Sequence, residues 1–366
     1  MVYRKKCLVV FSLLLFGFSP LAGIEINGYY ENDLVGGIKK DGGSFWGDLN
    51  RLRLRIDAKL GKNVVLHFEP EYDLLFKSQD IPLIVTPGLN QLIWDRAYLK
   101  INLPLVDLTL GKQRIAWGTG YIWNPTDVFN PFTLSFAVKE EQKLAVEAVR
   151  AEIPLGPTAG IDAFILTGSE LDKSTKGLKV KTNIGIYDFS LNYVDLGLGD
   201  FQLGFDSVGE LFGLGVRGEA ALICPSGTER YFNYILGSNY TFENGWGVNI
   251  EYYSNGLGKR NKDDYDWTGL TGGRISQLAK DYFYFGVSKL LNEITRISGS
   301  FILNANDLSF IFYPSYSRNI FPNVDLDLAA LLVGGTEGSE YKPTAQQDTT
   351  GLLGSNLLIL RLTYNF

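Results

Sequence analysis

Residues Arg51-Leu52-Arg53-Leu54-Arg55-Ile56-Asp57-Ala58-Lys59-Leu60 carry a charge at almost every second position and an aliphatic side chain between. Period-two alternation sends successive side chains to opposite faces, so the run reads as a β-strand with one charged and one apolar face. After Gly61-Lys62-Asn63 comes Val64-Val65-Leu66-His67-Phe68-Glu69-Pro70-Glu71-Tyr72-Asp73, again charged at alternate positions but now mostly acidic. A three-residue turn sets Arg51 opposite Asp73, Arg53 opposite Glu71, Arg55 opposite Glu69 and Asp57 opposite His67. Opposed unlike charges support an antiparallel pair by roughly 0.2–1 kcal/mol each. The simplest wall with these faces divides an apolar medium from water.

The pattern recurs along the chain. Lys179, Lys181 and Asn183 alternate with Val180, Thr182 and Ile184; Asn249 and Glu251 alternate with Val248, Ile250 and Tyr252; Asp325 and Asp327 alternate with Val324, Leu326 and Leu328. Strands are expected near 24–33, 49–60, 64–77, 92–103, 106–117, 142–154, 158–168, 176–184, 187–196, 200–208, 212–222, 229–242, 246–255, 279–290, 294–304, 307–317, 323–333 and 355–366. The segment 200–208 alternates weakly and enters because the up-down order fails without it. Short turns fall at Gly61-Lys62-Asn63, Pro104-Leu105, Gly156-Pro157, Ile184-Gly185-Ile186, Glu243-Asn244-Gly245 and Asn292-Glu293, and Asn-Gly is a hairpin signal. Longer polar stretches at 34–48, 78–91, 118–141, 256–278 and 334–354 lie between them. The expected fold is all-β: an antiparallel up-and-down transmembrane β-barrel of about 18 strands, with 16 as the fallback, short periplasmic turns and long extracellular loops.

Composition agrees with that class. Mean hydropathy is +0.01, and no later segment supplies the roughly 18 apolar residues of a helical span. The chain has one histidine, 41 glycines, 20 tyrosines and 23 phenylalanines. Its net charge of −6 argues against a nucleic-acid partner. At the N-terminus Arg4, Lys5 and Lys6 precede an apolar run from Cys7 to Phe18, with Ala22 and Gly23 behind it. This is the layout of a Sec-type signal peptide over 1–23, leaving 24–366 as a single barrel domain of the Gram-negative outer membrane.

Two stretches carry a resemblance. The ending Leu-Arg-Leu-Thr-Tyr-Asn-Phe, with Leu362, Tyr364 and Phe366 alternating, resembles the C-terminal signature of Gram-negative outer-membrane proteins. The resemblance implies that the barrel assembly machinery reads it. Leu110-Gly111-Lys112-Gln113-Arg114-Ile115-Ala116-Trp117-Gly118, with Asn124-Pro125-Thr126-Asp127-Val128-Phe129-Asn130-Pro131, resembles porin-like outer-membrane barrels, and Val216-Arg217-Gly218-Glu219 is similar to the same group. That resemblance implies a pore or substrate channel and no defined chemistry. It leaves a homotrimer open as an analogy of fold.

In such a barrel an Arg or Lys on the lipid face costs roughly 2–4 kcal/mol at the midplane. Arg51, Arg53, Arg55, Asp57, Lys59, His67, Glu69, Glu71 and Asp73 are therefore expected to face a water-filled lumen as a charge ladder. The ladder either neutralises itself within the wall or sets a transverse field that sorts solutes. The loop 118–141 is the candidate constriction. It carries Trp123, Pro125, Asp127, Phe129, Phe132 and Phe136, and its apolar residues leave water if it folds into the mouth. The alternative puts Trp117 and Trp123 in the aromatic girdle.

Catalysis is not expected. His67 is the only histidine and stands beside Asp57 and the arginines, and the carboxylates are explained by those arginines. One histidine and few cysteines give no transition-metal site, and no cofactor is expected. The sequence reads as an outer-membrane channel for passive diffusion of small polar or charged solutes, in contact with membrane lipid and lipopolysaccharide. The alternatives are an adhesin or binding barrel whose loops close the lumen, and a conduit for export of a periplasmic substrate.

Overall fold

Each predicted alternating segment forms a strand. The computed structural model describes residues 23–39, 42–77, 90–130, 132, 144–168, 170, 173–344, 346–347 and 354–366. Residues 1–22 of the expected leader 1–23, most of the loop 78–91 and the later part of the loop 118–141 lie outside those residues. The strands are β1 (Ile24–Ile38), β2 (Ser44–Lys59), β3 (Val64–Lys77), β4 (Gln91–Asn102), β5 (Asp107–Gln113), β6 (Val146–Pro154), β7 (Gly160–Leu166), β8 (Lys176–Ile184) and β9 (Tyr187–Gly197). They continue as β10 (Asp200–Leu211), β11 (Leu214–Cys224), β12 (Tyr231–Thr241), β13 (Trp246–Ser254), β14 (Asp281–Asn292), β15 (Thr295–Asn304), β16 (Phe310–Phe321), β17 (Val324–Gly334) and β18 (Asn356–Asn365).

Every strand pairs antiparallel with its chain neighbours, and β18 pairs with β1, closing one 18-stranded barrel. Closure leaves no free edge. The weakly alternating segment is the full strand β10, paired with both β9 and β11. One turn, Leu198-Gly199, is tight although it lies at the long-loop end, with both residues at positive φ (56° and 91°). That geometry matches the right-handed twist of the strands it joins.

Alternation sorts the two faces as expected. On β14, Phe283 and Phe285 are each 45% exposed on the outer wall, while Tyr282 and Tyr284 point inward and are buried. The predicted loop 34–48 is a correction: β1 and β2 run on as a hairpin, with Gly36 opposite Trp46 and Gly37 opposite Phe45. Glycines at 36, 37 and 47 hid the alternation there. The predicted strand 106–117 also ends early, at Gln113, because the chain leaves the wall and enters the barrel.

The loop end is filled. Trp123, Ile235, Tyr253, Tyr265, Leu278, Tyr282, Ile302, Ile311 and Tyr341 form a buried cluster inside the mouth. A smaller cluster of Ile115, Trp117, Ala148, Phe164 and Val194 lies beneath the start of the inward loop.

Candidate functional site

The arginine row sits in the register that the sequence dictates. Arg51 pairs with Asp73, Arg53 with Glu71 and Asp57 with His67 across β2 and β3. Arg55 Nε donates to Glu69 Oε1 at 2.9 Å. Arg51 reaches Asp73 at 3.0 Å and Glu71 at 3.3 Å, and also Glu31 of β1 at 3.2 Å. Arg53 bridges Glu69 (2.9 Å) and Glu71 (3.2 Å) and contacts Asp95 of β4. The His67 ring lies between Asp57 (Nδ1, 2.7 Å) and Glu69 (Nε2, 2.8 Å) and stacks on Tyr98. Lys59 stands apart: it pairs at 2.7 Å with Glu25 at the exposed turn end.

The ladder is wider than two strands. Arg361 of β18 holds Asp33 at 2.6 Å and Glu31 at 3.5 Å, so a belt of alternating charge runs through β18, β1, β2, β3 and β4. Sequence reasoning missed Glu31, Asp33, Asp95 and Arg96 as members. Glu31 and Asp33 belong to a strand whose alternation is broken by glycine and tyrosine. Asp95 joins through a bulge: Glu69 pairs with Arg96 but Pro70 with Trp94, which lets two consecutive residues of β4 face inward. Pro70, unable to donate to the ladder, is the sequence signal for that irregularity.

The loop after β5 crosses the lumen. Glu219 of β11 accepts the backbone N–H groups of Thr119 (2.7 Å), Gly120 (3.1 Å) and Thr126 (2.6 Å), and the Thr126 hydroxyl (2.8 Å). Glu251 of β13 accepts those of Tyr121 (2.6 Å), Ile122 (3.0 Å) and Trp123 (3.0 Å). Gln202 of β10 donates to the Thr126 carbonyl. These strands stand five to eight places around the wall from β5. Two glycines permit the approach. A Cβ on Gly118, whose φ is +108°, would stand 2.8 Å from the Glu219 carboxylate, and one on Gly120 would collide with the Trp123 carbonyl.

The loop's aromatic residues anchor it. Trp123 is buried, stacked on Tyr253 with centroids 5.3 Å apart, and Phe132 lies tilted against it at 5.8 Å. Phe129 meets Phe164 edge-on. Trp117 donates its indole N–H to Asp162 of β7, which also holds Arg150. Trp117 and Trp123 are thus interior residues and not girdle residues. Asp127 accepts the N–H groups of Phe129 and Asn130, fixing the turn after Pro125. Pro131 and Phe136 lie outside the described residues.

At the turn end the inner wall opens into a recess of about 360 Å³ lined by Arg296, Ser317, Asn319, Asp325, Asp327 and Asn365 among others. Arg296, Ser317 and Asp327 fall on one row of β15, β16 and β17. At the chain end Leu362 and Tyr364 alternate on β18, and Phe366 exchanges two backbone hydrogen bonds with Gly28 of β1.

No protein-family model matches the sequence, and no curated protein is similar to it. Solved structures do match. OccK11 (OpdR) of Pseudomonas aeruginosa superposes with a TM-score of 0.61 at 10% identity, over 94% of this chain and 96% of that one. OccAB2 of Acinetobacter baumannii gives 0.61 at 8% identity, over 96% and 99%. A triple mutant of the Rhodopseudomonas blastica porin gives 0.50 at 13% identity, over 94% and 100%. With its closed 18-strand wall and inward loop, the chain has the fold of a porin-like outer-membrane β-barrel.

Proposed function

We propose that the protein is a channel of the Gram-negative outer membrane through which small polar or charged solutes diffuse passively. The observation that carries the reading is the tether of the loop 119–126 to Glu219 and Glu251. It holds a polar backbone segment inside the barrel, facing an interior rich in charge. Solute passes between this segment and the charged belt, and the loop sets the narrowest point.

The remaining parts follow the same reading. Residues 1–23 serve as a leader removed on export, and Leu362, Tyr364 and Phe366 present the assembly signal to the barrel assembly machinery. The apolar outer wall meets lipid and lipopolysaccharide, and a homotrimer is the assembly proposed. A second reading is a binding barrel closed by its loops. The buried aromatic cluster in the mouth favours it, since that end is packed by Trp123, Tyr282 and Tyr341.

Single-channel recording of the refolded barrel in a planar bilayer separates the two. Steady conductance steps, with a reversal potential in a salt gradient, are expected of the channel. A folded barrel that stays silent across all voltages and pH values overturns the channel and leaves the closed binding barrel.

A further inference from the structure

Glu340 lies in the segment between β17 and β18 and is buried in the mouth with Ser339 and Tyr341 on either side. Its Oε1 accepts the Leu278 N–H at 2.9 Å. Its Oε2 accepts the Tyr282 hydroxyl at 2.6 Å and the Asn304 amide at 2.8 Å. One carboxyl therefore joins the 335–344 segment, the 255–280 segment, β14 and β15. The link continues inward, because Tyr282 stands 6.0 Å from Trp123 of the lumen-crossing loop.

The groups facing Glu340 are acidic or neutral. Asp307, on the turn after β15, accepts Glu340's own N–H at 2.8 Å. Tyr282 comes from β14, Tyr265 reaches Asn304 from the 255–280 segment, and Tyr341 adjoins in the chain. Among the described residues no Lys or Arg pairs with it. Gln277 and Tyr341 are buried beside this junction. The Leu278, Tyr282 and Asn304 donors also suit a carboxylate, but a charged carboxyl here sits buried without a cation.

We propose that Glu340 is a pH-set pin: neutral, it locks the 335–344 and 255–280 segments over the mouth, and ionised, it releases them. Burial away from cations, with Asp307 adding repulsion, pushes its carboxyl up to about 7. The sign follows. A carboxyl raised in the packed state stabilises that state fully below the ordinary carboxylate range, and the stabilisation is lost as pH rises toward 7. Between pH 5.5 and 8 a rise from 4.5 to about 7 shifts the packed-to-released ratio by about 30-fold.

This regulation rests on the channel reading for its electrical readout alone, so the test uses two readouts. Ser339 is fully buried, and S339C in a C224S background reports loop release by maleimide labelling. The labelling rate with Glu340 present, divided by the rate with E340Q at the same pH, cancels the intrinsic titration of the thiol. The ratio is expected to rise about 30-fold from pH 5.5 to 8. Bilayer conductance is expected to rise over the same window in the natural chain and to stay low at every pH in E340Q. D307N, which needs no change at Glu340, is expected to move the midpoint to lower pH. A flat labelling ratio overturns the pin. So does an E340Q channel that keeps the full pH step. A rising ratio in a barrel that never conducts supports the pin and overturns the channel.

Discussion

The two sides of the barrel interior treat carboxylates in opposite ways. Along β18, β1, β2, β3 and β4 the buried acids Glu31, Asp33, Glu69, Glu71 and Asp73 are each met by an arginine from a neighbouring strand. Across the lumen Glu219, Glu251 and Glu340 are just as buried, yet their hydrogen-bond donors are backbone N–H groups, hydroxyls and an amide. The first arrangement closes on itself and finishes a wall. The second reaches away from the wall and holds loops. A row of charge in a barrel strand thus says little until its partners are known. Where the opposite strand supplies the counter-charge the row is structural, and where it does not, a loop segment completes it.

Breaking the first side is expected to give the largest effect. Arg53 is almost fully buried and answers Glu69, Glu71 and Asp95. Removing one member of a buried charge cluster leaves the others uncompensated and costs of the order of 3–5 kcal/mol. R53A is therefore expected to lower the urea midpoint of the folded barrel strongly, while the loop tether across the lumen stays intact. An unchanged midpoint would show that the belt is solvated, against the burial seen in the fold.

Breaking the second side reverses the pattern. In E219Q/E251Q an amide NH₂ faces backbone donors, and each site loses roughly 1–3 kcal/mol of tethering. The barrel's unfolding midpoint is expected to hold, and single-channel conductance to rise as the loop leaves the lumen. A fall in stability with unchanged conductance would mean that these acids complete the wall as the arginine belt does.

How much of this was legible follows from the range of each interaction. The strands and the pairings Arg51–Asp73, Arg53–Glu71 and Asp57–His67 are local: a three-residue turn and a period of two determine them. The alternation of Asn249 and Glu251 with Val248, Ile250 and Tyr252 likewise marks the polar face on which Glu251 stands. What Glu219 and Glu251 bind was not legible, because Thr119 and Tyr121 lie 100 and 130 residues away and contribute backbone atoms, which carry no sequence signature. The nearest signal is Gly118 and Gly120, spaced to let a backbone approach a side chain. The Asp95 bulge was hidden for a related reason: one extra residue shifts the period, and only Pro70 on the facing strand hints at it.

The smallest expected effect sharpens the boundary of the belt. Lys59 alternates with the arginines in sequence and belonged to the same predicted ladder. Its side chain is 63% exposed and its partner Glu25 is 65% exposed. An ion pair in bulk water gains little, since screening and side-chain entropy offset the attraction. K59Q is expected to leave both the unfolding midpoint and the conductance within experimental error, although it removes a 2.7 Å ion pair. The contrast with R53A is then one of burial and of the number of partners, since both positions lie on the same face of the same strand. If K59Q instead destabilised the barrel, the row would act as one electrostatic unit down to the rim. The division drawn here between a shielded belt and a solvated end would then fail.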